Sequence, residues 1–218
     1  MTSRIASVKI NQRLEKLDSN DYDNITKERK EEVLNKVAVE FIRERVKNVD
    51  EVTQFAVEDL QLFLKPVVLS SVDKGLFNET GKLPKDYLFF KRLTPECAKG
   101  SCDNVTVVST PVEESNVDVY LSDFGTQPSF DFEETFHTMV SNRFRIYHNK
   151  DFSISEVGLI YYRKPIKISF ASTDLDKEWE WKEDQAELII DKAVMILAGD
   201  TENATAVQTS SQRVQNNN

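Results

Sequence analysis

The chain has 218 residues, 39% of them hydrophobic and 30% charged, with a formal net charge of −9 and a sequence pI near 4.9. That length suits one domain with appendages, and a core is within reach with thirteen Phe, six Tyr and two Trp. The acidic balance argues against tight nucleic-acid binding, which needs Lys and Arg to neutralise phosphate.

The N-terminal arm, residues 1–23, is expected to be partly helical before Asp18, Ser19 and Asn20 interrupt it. Thr26 then caps a strong amphipathic helix of about five or six turns. Its apolar stripe is Leu34, Val37, Ala38, Phe41, Ile42, Val46 and Val49, with Lys30, Glu31, Glu40, Glu44 and Lys47 opposite. A shorter helix is predicted from Val52 to Leu64, stopped by Pro66.

Val67–Val72 reads as a short strand, and Val105–Thr110 as another, ended by Pro111. Between them NETG and PECAKGSCDN are predicted loops. Val117–Leu121 reads as a strand or extended segment. In FGTQPSFDFEETF, the side chains of Phe124, Phe130, Phe132 and Phe136 are expected to anchor an irregular chain to a surface.

RFRIYH places Phe144, Ile146 and His148 on one strand face, and Asn149-Lys150-Asp151 is a turn. Phe152 and Ile154 then share a parity, whereas Val157, Leu159 and Tyr161 take the opposite one. That change predicts a bulge near Ser155–Glu156. Ile166, Ile168 and Phe170 alternate after Pro165, which predicts a strand bordering the sheet. The last helix carries Ala186, Ile189, Ile190, Ala193, Val194 and Leu197, with Gly199 as its stop. Residues 200–218 form a polar tail, expected to lack a core of its own. The fold class predicted is α+β: two long amphipathic helices, from the two ends of the chain, packed with a mainly antiparallel sheet in one domain over residues 24–199.

Chemistry is sparse. Six glycines make neither GxGxxG nor GxxxxGK[ST], and GxSxG and HExxH are missing, so no cofactor is expected. No signal peptide or membrane-spanning run is read, and the four Asn-x-Ser/Thr sites at Asn24, Asn78, Asn104 and Asn203 are taken as chance. Cys97 or Cys102 with His137 or His148 is a possible hydrolase pair, but the spacing matches no standard zinc pattern. Glu113, Glu114 and Asp118, or Asp131, Glu133 and Glu134, are carboxylate clusters of the kind that binds magnesium. In so acidic a chain they read as solvated loops.

Positive charge gathers at Arg143, Arg145, Lys150, Arg163, Lys164 and Lys167, beside Tyr147, Tyr161 and Tyr162. An alternative is a nucleic-acid platform. Tyr and Arg are equally the residues of protein interfaces. The candidate subunit or partner interface is therefore Tyr147, Tyr161, Tyr162, Arg163, Pro165, Trp179 and Trp181.

Four blocks, RLEKLDSNDYDNITKERKEEVLNKVAVEFIRERV, LPKDYLFFKR with CDNVTVV, YLSDFGTQPSFDFEETFHT with FRIYHNKDFSISEVGLIYYRKPIKIS, and ELIIDKAVMILAGDTENATAVQ, resemble the head–tail connector ring proteins of crAss-like bacteriophages. The resemblance implies a non-enzymatic virion protein, a homo-oligomeric and expectedly dodecameric ring at the head–tail junction. Its implied partners are the portal protein, neighbouring tail rings and, in passing, phage DNA, with no membrane. A tail-tube or tail-completion protein is the alternative from the same assembly.

Overall fold

The computed structural model describes residues 1–15, 25–48, 58–100 and 104–200. It is an α+β chain whose contacts divide it into two compact units, one of residues 1–62 with 165–218 and one of residues 63–164.

The first unit is helical. α1 (Ser3–Glu15) begins where the Ile5 amide meets Thr2 Oγ1 at 3.4 Å, and it buries Ala6, Ile10 and Leu14. The described part of the arm is thus helical, as expected, and contributes to the core of this unit. α2 (Lys27–Asn48) starts as predicted, with Thr26 Oγ1 accepting the Arg29 amide at 3.2 Å. Its Leu34, Val37, Ala38, Phe41 and Ile42 are buried as the stripe requires; Val49 lies outside the described residues. Phe41 meets Trp181 edge-on at 5.5 Å.

The final helix, here α4 (Glu183–Asp200), packs against both α1 and α2. It buries Ala186, Leu188, Ile189, Ile190, Ala193, Val194, Leu197 and Ala198, together with Gln185 and Asp191. A helix covered around most of its circumference is a core helix rather than an amphipathic one. The expected pair of long amphipathic helices therefore reduces to one, α2 at 22 residues. Arg13 of α1 reaches Asp191 at 3.3 Å and also pairs with Glu187, while Lys192 pairs with Glu44 of α2.

Among the described residues, Ile166–Phe170 joins no sheet. Side chains of α2 replace the neighbouring strand. Asn35 Oδ1 accepts the Ile168 amide at 2.8 Å, Asn35 Nδ2 donates to the Ile168 carbonyl at 2.9 Å, and Glu31 accepts the Phe170 amide. Alternation of Ile168 and Phe170 was legible because both are buried, whereas Ile166 is 68% exposed.

Among its described residues the second unit has nine strands: β1 (Leu64–Leu69), β2 (Ser71–Asp73), β3 (Phe77–Thr80), β4 (Tyr87–Ala98), β5 (Val105–Thr106), β6 (Val108–Pro111), β7 (Glu134–Val140), β8 (Arg143–Tyr147) and β9 (Ser153–Arg163). They form two sheets, ordered β1-β9-β4-β5 and β2-β3-β8-β7-β6, antiparallel except for the parallel β6–β7 pair. The strand runs β1–β2 and β5–β6 each switch sheets at a single residue, Ser70 and Val107. Strands that pass from one sheet to the next make the corners of a curled, barrel-like fold. The Val107 amide bonds the Pro95 carbonyl at 3.0 Å and the Gly81 amide bonds the Ser70 carbonyl at 2.8 Å, which holds both corners. Inside lie Leu69, Leu83, Leu93, Phe144, Ile146, Val157, Leu159 and Tyr161, drawn from both sheets.

Of the second predicted helix, residues 58–60 are helical and Gln61–Phe63 form a 3-10 turn; residues 52–57 lie outside the described residues. Pro66 sits inside β1 rather than stopping a helix, on a sheet edge where a missing N–H is tolerated. The predicted loop at Cys97 is still β4. Val117–Leu121 belongs to a helix, α3 (Val117–Ser122), which lays Tyr120 on Phe136 at 5.3 Å. The bulge is where parity placed it: Glu96 faces Glu156 and Cys97 faces Ile154, leaving Ser155 extra. β9, however, lies between β1 and β4, so the Tyr161–Arg163 stretch is central and not an edge.

Candidate interaction surface

Of the predicted interface, Tyr161 is 0% exposed and Tyr147, Tyr162 and Trp181 are 4% exposed, while Trp179 is 9% exposed. These side chains are core. Tyr161 stacks near Tyr87 at 5.6 Å, Tyr147 lies face to face with Phe136 at 4.7 Å, and Trp179 Nε1 donates to Ser3 Oγ at 3.1 Å. Arg163 is half-buried over Phe63, at 5.5 Å, and Pro165 is half-buried just past β9. The seven residues fall in both units and form no common exposed face. The nucleic-acid platform fails on the same fact, because buried tyrosine rings offer no face for a base to stack on. Two of its cations are engaged as well: Arg143 lies 3.4 Å from Glu79, and Arg145 lies 2.8 Å from Glu114.

Cys97 is wholly buried with Val107, Phe130 and Phe152, and burial pushes its thiol up to about 12. A thiol so protonated is a poor nucleophile. Cys102 lies outside the described residues. Sequence reading missed a different pair, Ser109 Oγ and His137 Nδ1, 2.7 Å apart. The two residues come from β6 and β7, whose parallel pairing no local pattern reveals. His137 sits between Phe90 at 4.9 Å and Phe144 at 5.2 Å, and burial lowers it to about 4. That imidazole is a weak base sealed from solvent, so the pair is a core hydrogen bond.

His148 is 4% exposed and lines an open cleft of about 500 Å³ with Asp73, Gly75, Lys99, Lys150 and Asp151. Its Nδ1 accepts the Lys150 amide at 3.1 Å, so its proton sits on Nε2, 3.4 Å from Asp73 Oδ1. Lys99 reaches Asp151 at 2.7 Å and Asp131 at 3.5 Å, and the Lys99 hydrogen bond holds Asp151 below the usual carboxylate range. Lys99 thus offsets the charge of two of the nearby carboxylates. Among the described residues no group of His, Cys, Asp and Glu is disposed to hold a metal ion, the two carboxylate clusters included. A smaller cavity of about 310 Å³ in the helical unit is lined by Trp179, Trp181, Ile166 and Ile168.

What is exposed is different. Phe124 is 82% and Phe132 72% exposed, where anchoring had been expected; Phe130 and Phe136, at 9% and 1%, are the anchors. Phe132 rides a tight turn in which Ser129 and Glu134 exchange both backbone hydrogen bonds, at 2.9 and 3.1 Å. Glu133 adopts φ 56°, a left-handed conformation uncommon for a residue other than glycine. Asp151 Oδ2 accepts the Phe130 amide at 2.9 Å and so ties the turn to the β8–β9 loop. The result is a fixed aromatic knob flanked by Asp131, Glu133 and Glu134, all exposed.

The chain matches no protein-family model and no curated protein. Among the described residues, no helix is long and apolar enough to cross a membrane.

Proposed function

We propose that this is a structural virion protein of a tailed bacteriophage, whose copies associate in a ring at the head–tail junction, between portal and tail, around the DNA channel. The observation that carries the reading is the exposed Phe132 on its fixed turn, with Phe124 exposed in the same acidic segment. Large apolar side chains held outward mark places where protein meets protein. The resemblance of the four sequence blocks to connector ring proteins supplies the class of assembly. In this reading α2 and α4 are the helical framework of each subunit, and the net charge of −9 leaves DNA free to slide past.

Native mass spectrometry and negative-stain imaging of the purified chain, alone and with the cognate portal, test the proposal. Rings of one defined copy number are expected. A chain that stays monomeric with portal present overturns it.

A further inference from the structure

Two stretches of the sheet unit carry opposite charge, one near the C-terminal end of β4 and one along its lead-in and first half. At its C-terminal end Phe130 packs with Cys97, and Lys99 meets Asp131 at 3.5 Å, so the Phe132 knob stands there. Residues 123–134 hold Asp123, Asp131, Glu133 and Glu134 and no Lys or Arg. The lead-in and first half of β4 hold Lys82, Lys85, Lys91 and Arg92. Lys164 joins them through its amide, which bonds the Asp86 carbonyl at 2.7 Å. Among the described residues none of these five cations takes part in an ion pair, and all five are exposed. The acid among them, Asp86, is already engaged by Lys65 and Tyr161. Half-buried Leu88 and Phe89 lie within the same basic run. A 12-residue strand at about 3.3 Å per residue sets its two ends roughly 35 Å apart.

We infer that the acidic Phe132 knob of one copy docks on the basic face of a second copy, at Lys85, Lys91 and Arg92, in a head-to-tail contact. The inference rests on the ring reading for closure of the chain of contacts but not for the contact itself. Different, complementary patches, one at the C-terminal end of β4 and one running from its lead-in to its middle, are what a heterologous interface requires, and a fixed rotation at each step closes a ring. Opposite charge orients the encounter, while the desolvated Phe supplies most of the affinity.

The test uses the full chain. Phe132→Ser, and separately Lys91→Glu with Arg92→Glu, should each weaken self-association roughly tenfold or more by sedimentation, with unchanged melting curves. The wild-type contact should also loosen as salt rises. Asp131→Lys with Glu133→Lys should behave like the basic-face variant, and mixing the two charge-reversed chains should restore association. With p-benzoyl-phenylalanine at position 132, irradiation should cross-link two copies through residues 82–92. Undiminished association in all variants, or a cross-link elsewhere or none, overturns the inference; rings that persist in that case leave the ring reading intact. The expected cross-link from open chains that never close supports the contact and overturns the ring.

Discussion

The Tyr161 hydroxyl donates a 2.8 Å hydrogen bond to Asp86 Oδ1, and its ring is wholly buried. Lys65 Nζ meets the other carboxylate oxygen at 2.8 Å, so one acid ties β1 and β9 to the lead-in of β4. Tyr161→Phe should therefore cost about 1.5–3 kcal/mol, the worth of a hydrogen bond to a charged group. Tyr161→Ser should cost about 3–5 kcal/mol through the cavity it leaves. Urea denaturation should show folding damaged by Tyr161→Ser before any effect on assembly, the reverse of what an exposed tyrosine would give.

The same carboxylate has a pH signature. The Lys65 hydrogen bond, foremost, holds Asp86 below its ordinary value of 3.8. A depressed acid contributes stability that is present above pH 3.8 and lost as pH falls through the lower folded value. Asp86→Asn should flatten that acid limb in pH-dependent melts.

His137 acts in a higher window. Burial lowers it from 6.5 to about 4, so the unfolded chain takes up a proton that the folded chain refuses. Stability should fall as pH drops from 6.5 towards 4, by up to about 1.4 kcal/mol per pH unit. Denaturation of His137→Gln across pH 7 to 5 should lack this slope; an unchanged slope assigns it to other groups.

Gly158 faces Thr94 across β4 and β9. A Cβ there would lie 2.6 Å from Thr94 Oγ1 and 3.3 Å from the Thr94 carbonyl. Gly158→Ala should destabilise the sheet unit by about 1–3 kcal/mol. Adding Thr94→Ala removes the nearest atom and should recover part of that loss in chemical melts.

Asn35 carries both backbone bonds of Ile168. Asn35→Ala should cost about 1–3 kcal/mol by stranding an N–H and a C=O. Asn35→Asp keeps an acceptor for the amide but loses the donor, so it should fall between. Hydrogen exchange at Ile168 reports which bond is gone.

Much of the fold was legible. Thr26 before a three-and-four stripe predicted α2, and the parity break at Ser155 predicted the bulge, because caps and face alternation are local properties. The sequence misread α4 as amphipathic: its spacing was right, but two helices cover it, and coverage is not a local property. Val117–Leu121 looked like a strand from its β-branched residues, yet Tyr120 gains more by lying on Phe136 from a helix.

The candidate interface failed for a related reason. Tyr161, Tyr162 and Trp181 have the composition of a contact surface, and the same composition fills cores. Sequence by itself determined α2 with its cap, the spacing of the last helix and the parity break in β9, since these follow from the neighbours along the chain. Tertiary structure alone decided that β9 is central, that Ser109 meets His137, and that Phe132 rather than Tyr161 faces outward. Those outcomes depend on strand order and on which face the curl of the sheets encloses, and both are set by contacts between residues far apart in sequence.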